Sequence, residues 1–158
     1  RNSIGRGLNI DVRRMDAQNL EFPDESFDIV ISSRLVWNLP EPFKAYAEWL
    51  RVLKKGGCLI LYDGNYFRPK EEPEEDAEDE TPRMYQGADF NILRKIAGTL
   101  PLTKESRPAW DVDALTRLGA ERLSIEIENS IEQEGTGLRM PSTFVIKACK
   151  PAEVPDYV

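Results

Sequence analysis

The sequence contains no histidine and only two cysteines among its 158 residues. The absence of histidine removes the commonest general base and the commonest metal ligand from consideration. Cys58 and Cys149 each lie inside an apolar run that predicts a strand. We therefore expect two buried thiols in a reducing, cytoplasmic setting, rather than a disulfide or a metal site.

Long apolar runs and excess positive charge are also missing. No run approaches the roughly 20 residues that span a bilayer, and the first residues lack a signal-peptide hydrophobic region. The net charge is −7, which disfavours binding along a nucleic-acid backbone, where clustered Lys and Arg must neutralise phosphates. We therefore expect neither a membrane nor a nucleic acid as a partner.

The length and the apolar content suit one globular domain. The chain has 41% hydrophobic residues, and its 158 residues fall within the range of about 100 to 200 typical of a single domain. Residues 1–150 are expected to form that domain. Residues 151–158 contain two prolines and are expected to be a loose tail.

The first part of the chain predicts an α/β arrangement. Glycines in residues 1–9 suggest the end of a helix, and a strand is expected over residues 10–15. Residues 27–32 form an apolar, β-branched run typical of a strand covered on both faces. Pro42 is suited to begin a helix, and Gly56-Gly57 to end it. Residues 58–62 predict a second buried strand, which completes a strand, helix, strand unit.

That predicted helix has one apolar face and a basic end. Apolar residues recur at spacings of three and four, and they are Phe43, Tyr46, Ala47, Leu50 and Leu53. Lys54 and Lys55 suit the negative end of the helix dipole.

The second part begins with a strongly acidic segment. Eight of the ten residues from Glu71 to Glu80 are acidic, so we expect residues 70–80 to be a mobile loop. Helical spacing resumes over residues 90–97. A further helix is expected over residues 111–118, with Asp111 or Asp113 as N-cap. Strands over residues 122–128 and 142–150 are then expected to form a hairpin.

Three short motifs occur in a characteristic order in the first half of the chain. Asp16-Ala17 precedes Leu20-Glu-Phe-Pro23, Phe27-Asp28 opens the next strand, and Leu53-Lys-Lys-Gly-Gly57 precedes the one after. This order resembles the second half of a class I S-adenosylmethionine-dependent methyltransferase, close to the small-molecule methyltransferases of ubiquinone and menaquinone biosynthesis. The implied fold is α/β, a Rossmann-like sheet with a closing antiparallel strand, incomplete at its N-terminal side.

The resemblance implies a cofactor site for S-adenosylmethionine. Asp16 would accept a hydrogen bond from the adenine amino group, the small Ala17 would let the ring approach its backbone amide, and Ser33 would touch the methionine portion. Asp16 taken with Ala17 alone is equally consistent with an Asx-type turn.

The resemblance also implies an acceptor site, where Trp37 would form a wall and Asp63, Asn65 and Tyr66 would orient the acceptor. A core role for Trp37 remains open. Arg107-Pro-Ala-Trp110 either reaches the same pocket or packs before a helix. No catalytic residue is assigned.

The implied function is methyl transfer to a small-molecule acceptor. In the resembling family a glycine-rich loop and a ribose-binding acidic residue come earlier in the chain, and we expect both upstream of Arg1. One alternative is an inactive remnant that acts as a binding or interaction module. A nicotinamide-dependent oxidoreductase is less favoured, because it would not be expected to combine the Asp16-Ala17 loop, the Gly56-Gly57 pair and a closing hairpin.

The strand order of the resembling family has a consequence for this chain. In that order, two strands that this chain does not contain lie between the strand at residues 10–15 and the strand at Phe27. Without them, the Phe27 strand would be an apolar edge of the sheet. Such edges recruit other chains. We therefore expect a second copy of the chain or an upstream segment to cover this edge, and we expect the isolated chain to bind S-adenosylmethionine poorly or not at all.

Overall fold

Four strands form one mixed sheet in this computed structural model, which describes residues 10–66, 90–132 and 139–152. The strands are β1 (Phe27–Ser33), β2 (Leu53–Gly64), β3 (Glu121–Glu132) and β4 (Arg139–Cys149). Their order is β1-β2-β4-β3, with β1 and β2 parallel and both β4 pairings antiparallel. The predicted α/β fold with a closing antiparallel pair is confirmed.

Helices connect these strands. They are α1 (Pro42–Val52), α2 (Phe90–Ala97) and α3 (Ala109–Arg117), with two short 3₁₀ helices at Val36–Asn38 and Pro101–Thr103. The helix expected at residues 111–118 starts two residues earlier, and its N-cap is Pro108 rather than Asp111 or Asp113. Asp111 lies inside the helix with its carboxylate buried, so it does not cap the helix.

Helix α1 begins at Pro42 as predicted, but it ends at Val52 rather than at Gly56-Gly57. Leu53 is already extended and lies opposite Phe27 of β1. Lys54 adds an ion pair to Asp28 across the two strands at 2.9 Å. The two lysines therefore belong to β2, because pairing with β1 outweighs continuation of the helix.

The buried face of α1 matches the predicted one in part. Tyr46, Leu50 and Leu53 are buried as predicted, but Phe43 is 39% exposed, and Ala45 and Trp49 are buried as well. The buried residues of the helix pack with the inner face of the sheet into one core, whose strand residues are Leu53, Leu59, Leu61, Phe144, Ile146 and Ala148. Because α1 and α3 contribute to this core, it lies between the helices and one face of the sheet.

Strand β1 lies at an edge of the sheet and is not covered on both faces, contrary to its apolar sequence. Ile29 is 56% exposed and Ile31 is 70% exposed. The predicted strand over residues 10–15 does not form: within the described chain no strand lies beside it, so its backbone has no ladder partner, and Val12 is 87% exposed. The expected apolar edge at the Phe27 strand is confirmed among the described residues.

The two cysteines form a disulfide, which corrects the expectation of two free thiols. Cys58 near the start of β2 lies directly opposite Cys149 at the end of β4, with their Cα atoms 4.0 Å apart. The two residues are 91 positions apart in sequence. Only the antiparallel register of β2 and β4 brings them together.

Several sequence expectations fall outside the described residues. They concern the helix end in residues 1–9, the acidic segment 70–80 and most of the tail 151–158. Among the helices that are described, none has the length and apolarity to cross a bilayer.

Candidate functional site

The carboxyl ends of β1 and β2 meet at one edge of the sheet. Ser33, the last residue of β1, lies opposite Tyr62 of β2. The next residue, Arg34, turns the chain with a φ of 51° and donates its backbone N–H to the Tyr62 carbonyl at 2.8 Å. Open α/β sheets bind ligands at the carboxyl edge of their parallel strands, so we call this region the carboxyl edge.

The loop of residues 16–24, hereafter the 16–24 loop, reaches the same edge. Helix α1 follows β1, so its N-terminus lies at the carboxyl edge. The backbone N–H of Glu41, just before α1, donates to Gln18 Oε1 at 2.7 Å. Gln18, which follows Asp16 and Ala17 in the chain, is therefore held at the N-terminus of α1.

Asp16 is exposed and forms an Asx turn. Its Oδ1 accepts the backbone N–H of Gln18 at 2.9 Å, and its carbonyl accepts the N–H of Asn19 at 3.1 Å. This is the turn geometry that the sequence left open as an alternative. Asp16 Oδ2 makes no hydrogen bond within the described part of the chain. The carboxylate can thus hold the turn with one oxygen and accept a ligand donor with the other.

Ala17 is half-buried against the core, and its carbonyl accepts the indole N–H of Trp49 at 2.9 Å. Its own backbone N–H donates to none of the described residues. The small side chain and this N–H match the requirements of a ring that approaches the backbone edge-on.

Two adjacent serines end β1, and they face opposite sides of the sheet. Ser33, the predicted cofactor residue, is exposed. Ser32 is only 5% exposed, and its Oγ has no hydrogen-bond partner among the described residues. The sequence analysis did not select Ser32, although the period of two along a strand places one of two neighbouring serines on the inner face.

Trp37 and Tyr66 form an aromatic pair at the carboxyl edge. Their ring centroids are 5.5 Å apart with planes at 60°. Both residues are half-buried, so Trp37 is not a core aromatic, and its indole N–H donates to the Arg34 carbonyl at 3.2 Å. The Tyr66 hydroxyl is buried and has no partner among the described residues.

Asn65 lies beside this pair, but its side chain is engaged in holding a neighbouring loop. Its Nδ2 donates to the Arg107 carbonyl at 3.0 Å, and its backbone N–H donates to the Ser142 carbonyl at 2.9 Å. The structure thus brings all three predicted acceptor residues, Trp37, Asn65 and Tyr66, to one edge.

Asp63 occupies a buried ion network and not the site surface. It is fully buried, its Oδ2 lies 3.4 Å from Arg107 Nη2, and the same oxygen accepts the Trp37 backbone N–H at 3.3 Å. Arg107 continues the network to Asp111, which also accepts the Tyr46 hydroxyl at 2.5 Å. Asp63 therefore holds the Trp37 backbone through a hydrogen bond, and its buried carboxylate is not exposed to an acceptor.

Burial dominates the electrostatics of this network. It raises the pKa of the Asp63 carboxyl, with Arg107 opposing that effect. It also raises the pKa of Tyr46 well above its ordinary value, and the Asp111 charge adds to the rise. Burial of Arg107 favours loss of its proton, but the hydrogen bonds to Asp111 and the charges of Asp111 and Asp63 together outweigh burial and raise its pKa. The buried cation is therefore permanently charged.

Part of the chain matches a known family in sequence. Residues 1–61 match the family described as methyltransferase domain. The chain is 44% identical over 57 residues to the phosphatidylethanolamine N-methyltransferase of Cereibacter sphaeroides. This match covers 36% of this chain and 27% of that protein. It is 33% identical over 104 residues to the ubiquinone/menaquinone biosynthesis C-methyltransferase UbiE of Pasteurella multocida, covering 66% of this chain and 35% of that protein. The chain thus spans about a third of the length of these curated relatives.

Solved structures show the same fold at low sequence identity. A SAM-dependent methyltransferase from Archaeoglobus fulgidus superposes with a TM-score of 0.57 at 17% identity, over 89% of this chain and 67% of that one. The Haemonchus contortus phosphoethanolamine N-methyltransferase 2, in complex with S-adenosyl-L-methionine, superposes with a TM-score of 0.56 at 14% identity. The superposition covers 86% of this chain and 36% of that one. Residues 1–61 therefore match a methyltransferase domain in sequence, and the described residues share the fold of S-adenosylmethionine-dependent methyltransferases.

Proposed function

We propose that the protein binds S-adenosylmethionine at the carboxyl edge and takes part in methyl transfer to a small-molecule acceptor. Asp16 and Ala17 would hold the adenine ring, and Ser33 would contact the methionine portion. Trp37, Asn65 and Tyr66 would bind the acceptor. The names of the relatives, two methyltransferases of lipid and quinone chemistry, support a small acceptor over a macromolecular one.

The observation that carries this proposal is the pair of unused hydrogen-bonding groups at the start of the 16–24 loop. Asp16 Oδ2 and the Ala17 backbone N–H have no partner among the described residues. An acceptor and a donor on adjacent residues match the amino group and a ring nitrogen of adenine. The Ser32 hydroxyl, buried without a described partner one residue before the end of β1, is a second unpaired group near this edge.

The chemistry asks little of the protein beyond positioning. When bound, S-adenosylmethionine supplies an electrophilic methyl group on its sulfonium sulfur. Orientation of two reactants alone corresponds to effective molarities of about 10⁵ M or more in favourable cases. Without histidine, removal of an acceptor proton would fall to Asp, Glu, Tyr or Lys. Asp63 is a poor choice among these, because it is fully buried and paired with Arg107.

Amide NMR during a titration with S-adenosylmethionine tests the proposal and also detects weak binding. We expect saturable shifts at the Ala17 and Ser33 amides and none at Gly119, which lies at the end of α3. Asp16→Ala should weaken binding by about 1 to 3 kcal/mol, the usual loss of a buried polar partner. Asp11→Ala is the matched control, because Asp11 is also exposed and is paired with Arg13.

No shift at Ala17 or Ser33 up to millimolar ligand would contradict the proposal. That outcome would favour an interaction module without catalysis, for which the exposed Ile29 and Ile31 on edge strand β1 are the supporting observation. Size-exclusion chromatography at several concentrations would then show whether the chain associates with itself. A variant with Ile31→Lys should abolish that association.

A further inference from the structure

The 16–24 loop has little structure of its own. Among its residues the structure shows one isolated bridge, between Asp16 and Asn19, and no helix or strand. Its course must therefore be set by the elements on which it lies. Nearly all the hydrogen bonds that anchor the loop come from one face of α1 or from the residue just before it.

Arg51, near the end of α1, is the largest of these anchors. Its guanidinium makes five hydrogen bonds in all. Nη2 donates to the Leu20 carbonyl at 3.0 Å, and Nη1 donates to the Phe22 carbonyl at 2.9 Å and to Asp24 Oδ1 at 2.7 Å. One side chain thus holds the loop at three points over five residues.

Glu48 orients this guanidinium and also forms a hydrogen bond with the loop. Its two carboxylate oxygens accept Nε and Nη2 of Arg51, each at 2.9 Å, in the fork-to-fork geometry that arginine allows and lysine does not. Glu48 Oε2 also accepts the Leu20 backbone N–H at 2.9 Å. Leu20 is therefore held by its N–H through Glu48 and by its carbonyl through Arg51.

Arg51 and Glu48, hereafter the clamp, lie on the last turns of α1, away from its N-terminus at the carboxyl edge. Pro42 and Arg51 are separated along α1 by about 14 Å at the usual rise of an α-helix. Gln18 reaches the N-terminus of α1 through the Glu41 N–H, whereas Trp49, two residues before Arg51, holds the Ala17 carbonyl. The loop is thus fastened near both ends of α1.

We propose that Arg51, oriented by Glu48, is a positioning residue that sets the conformation of the 16–24 loop so that Asp16 and Ala17 are ready for adenine. This inference rests on the proposed function of that loop. Arg51 contacts backbone carbonyls and a surface carboxylate, not the ligand, so it acts through the loop. Its contribution is preorganisation, which lowers the entropy lost on binding.

The test combines loop dynamics with ligand affinity. Arg51→Gln removes the fork, and Arg51→Lys keeps the charge but not the fork. The matched control is Arg117→Gln, which removes an exposed i,i+4 ion pair with Asp113 on α3. Hydrogen exchange at the Leu20 amide, without ligand, should be about tenfold faster in both Arg51 variants at pH 7 and unchanged in the control.

Affinity is measured by the same NMR titration with S-adenosylmethionine. We expect Kd to rise about tenfold in both Arg51 variants, equivalent to losing one net hydrogen bond. Urea unfolding of each variant separates a local effect on the loop from a global loss of stability. A Leu20 exchange rate equal to the control overturns the clamp.

Two further outcomes separate this inference from the proposed function. Faster Leu20 exchange with an unchanged Kd would make the pair a structural fastening only and would overturn the positioning role. No binding by the wild-type chain would overturn the proposed function and this role with it.

Discussion

Arg107 contacts the carboxylate of Asp111 through three N–H···O hydrogen bonds of 2.8 to 3.1 Å, and both side chains are almost completely buried. The same guanidinium donates to the Gly64 carbonyl at 3.1 Å and packs over the Phe144 ring. One buried cation therefore joins the segment before α3 to the end of β2 and to the middle of β4, next to the carboxyl edge.

Replacement of Arg107 should be strongly destabilising. Arg107→Met would leave Asp63 and Asp111 buried without their cation, and removing one partner of a buried ion pair costs about 3 to 5 kcal/mol. Urea unfolding at pH 7 measures the loss. Arg117→Met is the control, since that arginine is exposed. A loss for Arg107→Met no larger than the control's would show that the network contributes little.

Gly64 should tolerate no side chain. A Cβ at this position would lie 2.3 Å from the Ser142 carbonyl oxygen, a backbone atom of neighbouring strand β4. Gly64→Ala must then push β2 and β4 apart, at a cost of about 3 kcal/mol. Gly119→Ala is the comparison: nothing lies within 4 Å, but φ is +81°, so about 1 kcal/mol of backbone strain is expected. Equal losses by urea unfolding would contradict the steric argument.

Reduction of the Cys58–Cys149 disulfide should lower the free energy of unfolding but leave the pairing register of β2 and β4 unchanged. The bond closes a long loop, since its cysteines are 91 positions apart, and such cross-links contribute about 2 to 5 kcal/mol. Thermal unfolding with and without a reductant measures the difference. The double variant Cys58→Ser, Cys149→Ser should melt with the reduced protein and show no response to reductant. A reductant effect in that variant would point to another cause.

The Glu48–Arg51 pair should make stability depend on acid pH. The hydrogen bond from Arg51 lowers the pKa of Glu48 from its ordinary value of 4.5. The unfolded chain therefore binds this proton more readily, so the pair's contribution is present above about pH 4.5 and is lost as pH falls through the lowered pKa. Urea unfolding at pH 6 and pH 3 should show the difference between wild type and Glu48→Gln shrinking with acidification. A difference that stays constant would argue against this linkage.

Ser32→Ala should leave folding intact while affecting ligand binding. Because Ser32 Oγ is buried without a partner among the described residues, its removal should change unfolding free energy by less than about 1 kcal/mol, and in the stabilising direction. The S-adenosylmethionine-induced shift at the Ser33 amide should decrease. Ser26→Ala is the control, because its hydroxyl donates to the Pro23 carbonyl. A large loss of stability in Ser32→Ala would mean that the hydroxyl has an internal role.

Local patterns in the sequence were sufficient for much of the fold. Pro42 indicated the start of α1, the β-branched run over residues 27–32 indicated β1, and two apolar runs near the C-terminus indicated the hairpin of β3 and β4. Each is encoded by residues within a few positions of one another. The order of the motifs likewise indicated the resemblance to methyltransferases, which needs no tertiary contact to be recognised.

Tertiary structure decided what depends on partners distant in sequence. The predicted end of α1 was wrong because pairing of Leu53 with Phe27 overrides the helical pattern. The predicted strand at residues 10–15 was also wrong, because no described strand pairs with these residues. The Cys58–Cys149 bond, the burial of Arg107 and the Ser32 hydroxyl followed from strand register and packing. A sequence alone specifies which side chains are available, but pairing across a sheet or a core is set by the energy of the whole fold, and so by residues far apart along the chain.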